Sequence, residues 1–182
     1  MSRCYRTWDT LRFQGWADRF ELPRKKAVKA FSRGMRMKLS IAVALSHDSR
    51  LLLLDEATSG LDPVVRDEML DVLRDFIQDE RRSVLLSSHI ISDLEKVCDY
   101  VTFLHKGRLL LSEAKDDLLD RYVLAKAPEA ELSRIDPAAV VGLRAGRFGA
   151  EALILRRALP GGMAHQPATL EDIMLYHIKE EH

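Results

Sequence analysis

Two adjacent carboxylates, Asp55 and Glu56, follow the apolar run LLLL at residues 51–54. A short apolar run bounded by polar residues predicts a strand buried on both faces of a parallel sheet. Acids at the exit of such a strand are costly unless they meet a cation or water. Ligands of open α/β sheets bind at this carboxyl end, so the pair could hold a metal ion or activate water. The alternative is a buried strand with a polar exit and no chemistry, and the two acids alone do not decide between these interpretations.

Helices and strands alternate around this run. Apolar stripes predict helices over residues 9–20, 32–45 and 62–79, and Leu11 belongs to the stripe of the first. Ser32 and Asp62 are favourable N-caps, and Pro63 suits the first helical position. A second strand, residues 83–88, also ends in a polar exit, at Ser88 and His89. This alternation predicts an α/β fold with a largely parallel sheet.

The remainder of the chain predicts a hairpin and then a small appendage. The sequence SDLE is a capping box that predicts a short helix opening at Ser92, and β-like runs at 100–105 and 108–112 flank Lys106 and Gly107, which predicts a hairpin. Beyond Lys126, prolines and glycines separate β-like runs at 139–143 and 152–156. The sequence TLED at 169–172 then caps a final amphipathic helix. Together these features indicate an α+β appendage.

Composition argues against several function classes. The 182 residues carry 28 Lys and Arg against 28 Asp and Glu, which leaves no basic footprint for nucleic acid or for an anionic membrane surface. No apolar run approaches the roughly 20 residues of a membrane span, and the N-terminus lacks a signal peptide's apolar region. Cys4 and Cys98 form no disulfide framework, which indicates a reducing cytosolic setting. His165, His177 and His182 lack metal-ligand spacing.

Three motifs then stand in a fixed order: FSRGM at 31–35, LLLLDEATSGLDP at 51–63 and SSH at 87–89. Together they resemble the ATP-binding subunit of ABC transporters, over residues 8–113. The sequence TLEDIM at 169–174 is similar to the C-terminal tail of bacterial subunits of the drug- or antibiotic-export kind. The resemblance implies a partial P-loop NTPase core of the ABC type with a mainly parallel sheet. It divides the chain into the remainder of a helical subdomain with the signature motif (1–47), half of a catalytic core (48–124) and a small C-terminal α+β extension (125–182).

The resemblance assigns hydrolytic roles to three residues. Asp55 ends the Walker B strand and would hold Mg²⁺ through water. Glu56 would be the catalytic carboxylate that polarises the attacking water. His89 would be the switch histidine, which donates a hydrogen bond to the γ-phosphate of ATP and senses its loss.

Further roles concern the surface that faces a partner. Ser32 and the backbone at Gly34 belong to the signature motif, at a helix N-terminus that would bind the γ-phosphate of a nucleotide held by the other subunit of a dimer. Residues 59–62, ending in Asp62, would be the D-loop, and Asp62 is a further candidate for nucleotide binding. Arg33 stands where the family has its first glycine and is expected to point away from the phosphate, and Met35 replaces the family's glutamine.

No GxxxxGK[ST] motif and no glutamine loop stand anywhere in the 182 residues. The phosphate loop is what cradles the β- and γ-phosphates, so the chain is expected to be the C-terminal portion of a nucleotide-binding subunit without its own principal ATP site. In the family, the strand leading into that loop lies between the strands that correspond to 83–88 and 100–105. We therefore expect an open slot there and a poorly soluble or partly molten chain until a partner fills it. A cooperative near-UV circular dichroism melt of a monomer would contradict this.

The predicted function is that of an ATP-binding subunit that couples ATP binding and Mg²⁺-dependent hydrolysis to transport. Its expected partners are a second nucleotide-binding subunit and a separate polytopic membrane permease, and nucleic acid is not among them. The expected location is cytoplasmic, peripheral at the inner face of the cell membrane, and this chain is expected to be inactive alone. Two alternatives stay open. The chain could be a non-catalytic module or gene remnant that docks on an intact subunit, or it could come from an ABC-type ATPase with no role in transport.

Overall fold

The computed structural model describes residues 4–146 and 149–180. These residues fall into two compact units, unit 1 up to Asp93 and unit 2 from Leu94 onward. The fold is mixed α/β, as predicted. Each unit is described by itself below.

In the described part of unit 1, three α-helices and two strands precede a short fourth α-helix. They are α1 (Thr10–Arg19), α2 (Arg33–Leu45), β1 (Leu51–Asp55), α3 (Pro63–Ile77), β2 (Ser83–Ser87) and the first turn of α4 (Ile91–Val97). Ser32 caps α2 by accepting from the Met35 N–H at 3.2 Å, and Asp62 caps α3 by accepting from the Val65 N–H at 3.0 Å. Both predicted N-caps are therefore confirmed. Ser92 is not a cap, because α4 begins one residue before it.

β1 and β2 form a parallel two-stranded sheet, as the sequence predicted. Leu52 stands opposite Val84 and Asp55 opposite Ser87, so both strands bring their last residues to the same edge. Leu52 is buried in a core that α1, α2 and α3 share, with Leu54, Val84 and Leu86 packed against it. Burial of these apolar side chains is the main force that holds β1 and β2 in this register.

The other face of this sheet is open, and the prediction that β1 is buried on both faces is wrong. Leu51, Leu53 and Leu85 are 54%, 68% and 66% exposed. β1 therefore alternates like a strand with one covered face, because side chains along a strand point to opposite sides. Leu11, one residue of the predicted apolar stripe of α1, is exposed as well. Among the described residues β2 pairs only with β1, so the predicted slot beside β2 stays a prediction.

Unit 2 opens with the predicted hairpin and continues into a four-stranded sheet. β3 (Tyr100–His105) pairs antiparallel with β4 (Arg108–Ala114), and Lys106 and Gly107 make the turn with φ of 46° and 77°. Positive φ at both central residues is the requirement of a type I′ hairpin turn. The hairpin prediction is therefore confirmed, down to its turn residues.

The sheet of unit 2 has the order β6-β7-β5-β8 with antiparallel neighbours. α5 (Lys115–Arg121) runs directly into β5 (Tyr122–Ala127), and α6 (Glu129–Leu132), β6 (Val140–Gly146), β7 (Gly149–Leu155), β8 (His165–Pro167) and α7 (Leu170–Glu180) follow. Thr169 and Asp172 exchange hydrogen bonds at the start of α7, which confirms the predicted cap. The α5 helix and strand β5 were not predicted.

Candidate functional site

Asp55 and Ser87 lie side by side at the carboxyl ends of β1 and β2, where the parallel register makes them direct partners. The Ser87 hydroxyl donates to Asp55 Oδ1 over 2.5 Å. This hydrogen bond to a charged acceptor fixes the carboxylate of Asp55 at the sheet edge. Both residues are exposed, so the edge is open to solvent and to ligands.

Glu56 leaves the strand through an unusual backbone conformation. Its φ is 50°, in the left-handed region that non-glycine residues occupy rarely. Its N–H is shared between the Ser87 carbonyl oxygen at 3.1 Å and the Ser87 Oγ at 3.2 Å. Residues held this way cost roughly 1–3 kcal/mol and cluster at functional sites. Ser87 therefore secures both acids, one through the side chain and the other through the backbone.

His89 reaches back from the turn after β2 to the carboxylate of Glu56. Its Nδ1 lies 2.5 Å from Glu56 Oε2, and both side chains are well exposed to solvent. An ionised carboxylate can only accept, so Nδ1 carries the shared hydrogen and Nε2 remains for another partner. The structure thus brings together the three residues predicted for hydrolysis, Asp55, Glu56 and His89, and adds Ser87 to them.

This arrangement suits Mg²⁺ better than a metal held entirely by protein ligands. Among the residues described, no group of three His, Cys, Asp or Glu side chains could hold a metal ion. Mg²⁺ keeps several waters and takes one or two carboxylates together with substrate phosphates. Asp55 offers one such carboxylate, with one oxygen held by Ser87. Its donor set therefore fits the predicted Mg²⁺.

His165 and His177 each lie next to a backbone carbonyl oxygen. Each approaches a backbone carbonyl oxygen through Nδ1, that of Met163 at 3.1 Å and that of Ile173 at 2.7 Å. His182 lies outside the described residues. For the two described histidines a local hydrogen-bonding role is the simpler account.

A second cluster forms where the N-terminus of α2 meets residues 59–62 and α3. Ser32 is exposed, and its oxygen accepts the Met35 N–H while its own O–H stays available to donate. A Cβ built on Gly34 would lie 3.5 Å from Val65 Cγ1 and 4.0 Å from Leu61 Cδ2. At Gly34, helix α2 therefore packs closely on α3. Gly34 also has a backbone N–H near the helix N-terminus, where such groups lack an intrahelical partner.

Arg33 lies over Gly60 in this second cluster. A Cβ at Gly60 would be 2.7 Å from Arg33 Nη1, and Gly60 has φ of 66°. The guanidinium thus covers the residues 59–62 loop, and the expectation that Arg33 turns away from a phosphate remains a prediction. The Asp62 carboxylate accepts the Val65 N–H, which leaves its predicted part in nucleotide binding as a prediction too.

The two clusters are joined by a backbone hydrogen bond, from the Ser59 N–H to the Glu56 carbonyl oxygen at 3.1 Å. No hydrogen bond joins Ser32 or Gly34 to Asp55 or Glu56 in the part of the chain that the structure describes. One cluster contains the acids and His89, and the other contains the α2 N-terminus and the 59–62 loop. Sequence reasoning did not single out Ser87, although β1 and β2 end in polar residues at the same register.

Comparisons with known proteins show what part of this sequence resembles. Residues 3–59 match the model of the ABC transporter family, a segment that includes Ser32, Gly34, Asp55 and Glu56. The lantibiotic transport ATP-binding protein SrtF of Streptococcus pyogenes is 38% identical over 92 residues, 50% of this chain and 40% of its own length. The matched segment is thus similar to the ABC transporter family. The bacitracin transport ATP-binding protein BcrA of Bacillus licheniformis is 41% identical over 97 residues, 53% of this chain and 32% of its own length.

The similarity also reaches beyond the matched segment. The ABC transporter ATP-binding protein YtrB of Bacillus subtilis is 29% identical over 123 residues, 68% of this chain and 42% of its own length. The chain thus spans less than half the length of each of these relatives. Within the described residues, no helix has the length and apolar character needed to cross a membrane.

Proposed function

We propose that this chain is part of the ATP-binding subunit of an ABC transporter, with Asp55, Glu56 and His89 as its hydrolytic residues. The single observation that carries the proposal is the 2.5 Å contact between His89 and Glu56 at the carboxyl ends of two parallel strands, beside the Asp55–Ser87 pair. Phosphoryl transfer to water needs an oriented nucleophile and neutralised phosphate charge. Glu56 and His89 are residue types that can orient a water molecule. Asp55 can hold the Mg²⁺ that would neutralise phosphate charge.

Each residue has a definable task in this proposal. The His89 bond uses Oε2 of Glu56, so Oε1 can accept a hydrogen from the attacking water. Asp55, fixed by Ser87, would hold Mg²⁺, which neutralises phosphate charge when bound. With its hydrogen on Nδ1, His89 keeps Nε2 as an acceptor for the attacking water. The left-handed backbone of Glu56 sets its side chain beside His89 before any substrate arrives.

The α2 N-terminus would act on a nucleotide held by a second ATP-binding subunit. Free N–H groups and the positive end of the helix dipole favour a phosphate there, and the Ser32 hydroxyl can donate to it. Asp62, at the end of the 59–62 loop, would line the same surface through its backbone, since its carboxylate caps α3.

The proposed partners are a second ATP-binding subunit and a polytopic membrane permease, with this chain peripheral at the cytoplasmic face of the membrane. The names of two relatives concern lantibiotic and bacitracin transport. By this similarity we propose an antibiotic-like peptide as the transported class. The alternative of a non-catalytic module that docks on an intact subunit is favoured by one observation, the lack of a GxxxxGK[ST] motif in these 182 residues.

The hydrolytic role can be tested by supplying the phosphate loop from a relative. The chain is co-expressed with a segment of the lantibiotic transport relative that carries its phosphate loop, and MgATP hydrolysis by the complex is measured. We expect hydrolysis that falls at least about a hundredfold in Glu56→Gln, the scale of losing a general base, with MgATP binding unchanged. Glu80→Gln, a change of the same kind at an exposed site, should have no effect.

Equal hydrolysis by Glu56→Gln and the unchanged complex would refute the hydrolytic role. Tight MgATP binding by the chain alone would also refute the proposal, because no residues for a complete phosphate cradle stand in it.

The action in trans calls for a different assay. An intact bacitracin transport subunit whose own signature serine is replaced by alanine would be mixed with this chain. Restored hydrolysis that Ser32→Ala removes and Ser40→Ala retains would support the surface at α2, since Ser40 lies on the same helix with its hydroxyl on the Arg36 carbonyl. Restoration here together with no effect of Glu56→Gln in the first assay would favour the non-catalytic module.

A further inference from the structure

Asp93, in the first turn of α4, is a carboxylate that is only 2% exposed. A buried charge is costly unless a counter-charge and hydrogen bonds compensate it. The cation that faces it within unit 1 is Arg66 on α3, whose Nε lies 3.9 Å from Asp93 Oδ2. Arg66 and Asp93 therefore form a largely desolvated ion pair.

The pair stops short of a hydrogen bond. An N–H···O bond spans about 2.7–3.2 Å, and the 3.9 Å gap exceeds this. Arg66 Nε and Asp93 Oδ2 are both buried and have no hydrogen-bond partner among the described residues. Leaving a buried polar atom unpaired carries its full desolvation cost, so two such atoms facing each other need an explanation.

Each member of the pair is also tied to a different loop of the candidate site. Arg66 Nη2 donates to the Leu61 carbonyl oxygen at 3.4 Å, and Leu61 belongs to the 59–62 loop. The Asp93 N–H donates to the Ile90 carbonyl oxygen at 3.0 Å, in the turn that directly follows His89. One ion pair thus connects the loop that Arg33 covers with the turn that carries His89.

We propose that Arg66 and Asp93 are positioning residues that set the 59–62 loop and the 88–90 turn relative to each other, and so place His89 against Glu56. The 3.9 Å between Arg66 Nε and Asp93 Oδ2 then allows the two loops to move relative to each other. When the loops approach, the two atoms come within hydrogen-bond distance. Neither side chain touches the reacting groups, and their effect passes through Leu61 and Ile90. The catalytic consequence rests on the proposed function, whereas the structural coupling of the two loops does not.

Hydrogen exchange on the full 182-residue chain tests the coupling without ATP. Arg66→Met should raise exchange about tenfold or more in both segments, residues 59–61 and 88–93, because the pair is bonded to both, through Leu61 and Ile90. Arg74→Met is the matched control, an arginine on the same helix paired with Asp71 at the exposed surface, and it should change neither segment. Faster exchange in only one segment, or an equal rise in Arg74→Met, would overturn the proposal.

Two further variants distinguish loss of the coupling from general misfolding of the chain. Arg66→Met leaves Asp93 buried without a counter-charge, so Arg66→Met/Asp93→Asn should melt at a higher temperature than Arg66→Met alone. The double variant should still show fast exchange in both segments. Arg66→Lys keeps the charge but cannot hold Leu61 and Asp93 at once, so it should give intermediate exchange. A double variant with native exchange in both segments would refute the coupling.

The reconstituted complex described above tests the catalytic consequence. We expect Arg66→Lys to lower kcat about tenfold while KM for ATP stays within about twofold, as for a residue that aligns catalytic groups. An unchanged kcat beside altered exchange would overturn the link to His89. Should the complex hydrolyse no ATP at all, the proposed function fails, while the exchange experiment still decides on the coupling.

Discussion

Replacing Gly60 by alanine separates two physical effects at the loop beneath Arg33. Gly60 has φ of 66°, a conformation that costs an L-residue about 1–2 kcal/mol. The new Cβ would also lie 2.7 Å from Arg33 Nη1, too close for any real contact. The obstructing atom is the end of a long, exposed side chain, so the guanidinium can move aside. We expect unfolding free energy to fall by about 1–2 kcal/mol in total, nearly all of it from the backbone.

A double-mutant cycle with Arg33→Ala measures how much the contact between the new Cβ and Arg33 contributes to the loss of unfolding free energy. If Arg33 moves freely, the effects of Gly60→Ala and Arg33→Ala add to within about 0.5 kcal/mol. Urea unfolding followed by tryptophan fluorescence is the assay, because Trp8 and Trp16 both lie in unit 1. Gly15→Ala is the control, and it should raise the unfolding free energy by about 0.5–1 kcal/mol. Gly15 lies within α1, and no atom lies within 4 Å of a Cβ built there.

Two results would refute this account of Gly60. A neutral Gly60→Ala would mean that the loop relaxes out of its left-handed conformation at no cost. A coupling energy of about 1 kcal/mol or more between the two substitutions would mean that Arg33 is held in place over the loop and cannot yield.

Three further changes test other parts of the structure. Ser87→Ala removes the hydroxyl that donates to Asp55, and should lower unfolding free energy by about 1 kcal/mol in urea; no loss would argue against that hydrogen bond. Leu70→Ala, at a fully buried position of α3, should cost about 2–5 kcal/mol, and a loss below 1 kcal/mol would contradict its burial. The hydrogen bond from Arg81 lowers the pKa of Asp79 from 3.8 to about 2. Asp79 thus contributes stability above pH 4 that is lost as pH falls through 2, and Asp79→Asn should flatten that part of an acid titration of stability.

Local signals made most of unit 1 predictable. Ser32 and Asp62 cap their helices because a side-chain oxygen satisfies a free N–H three residues on, which needs no tertiary context. The hairpin at Lys106 and Gly107 likewise follows from its turn residues. In unit 2, by contrast, Tyr122 starts β5 immediately after α5, and no glycine or proline marks the change. Sequence periodicity cannot place such a boundary.

Residues of the candidate site that belong to a sequence motif could be predicted. A residue whose role depends on strand pairing could not. Asp55, Glu56 and His89 follow from their motifs, and the structure brings them together. The part played by Ser87 depends on its register opposite Asp55, which only the folded sheet establishes. The open face of β1 could not be foreseen for a related reason, because the run of leucines specifies an apolar strand but not what lies over it.

The open leucine face of β1 and β2 bears on how long the chain survives in a cell. Leu51, Leu53 and Leu85 present branched aliphatic side chains on a parallel sheet, an architecture otherwise covered on both sides. Chaperones and quality-control proteases continuously sort proteins with such exposed surface. A polypeptide that leaves these leucines uncovered should therefore be degraded quickly in a cell, and covering them should lengthen its lifetime.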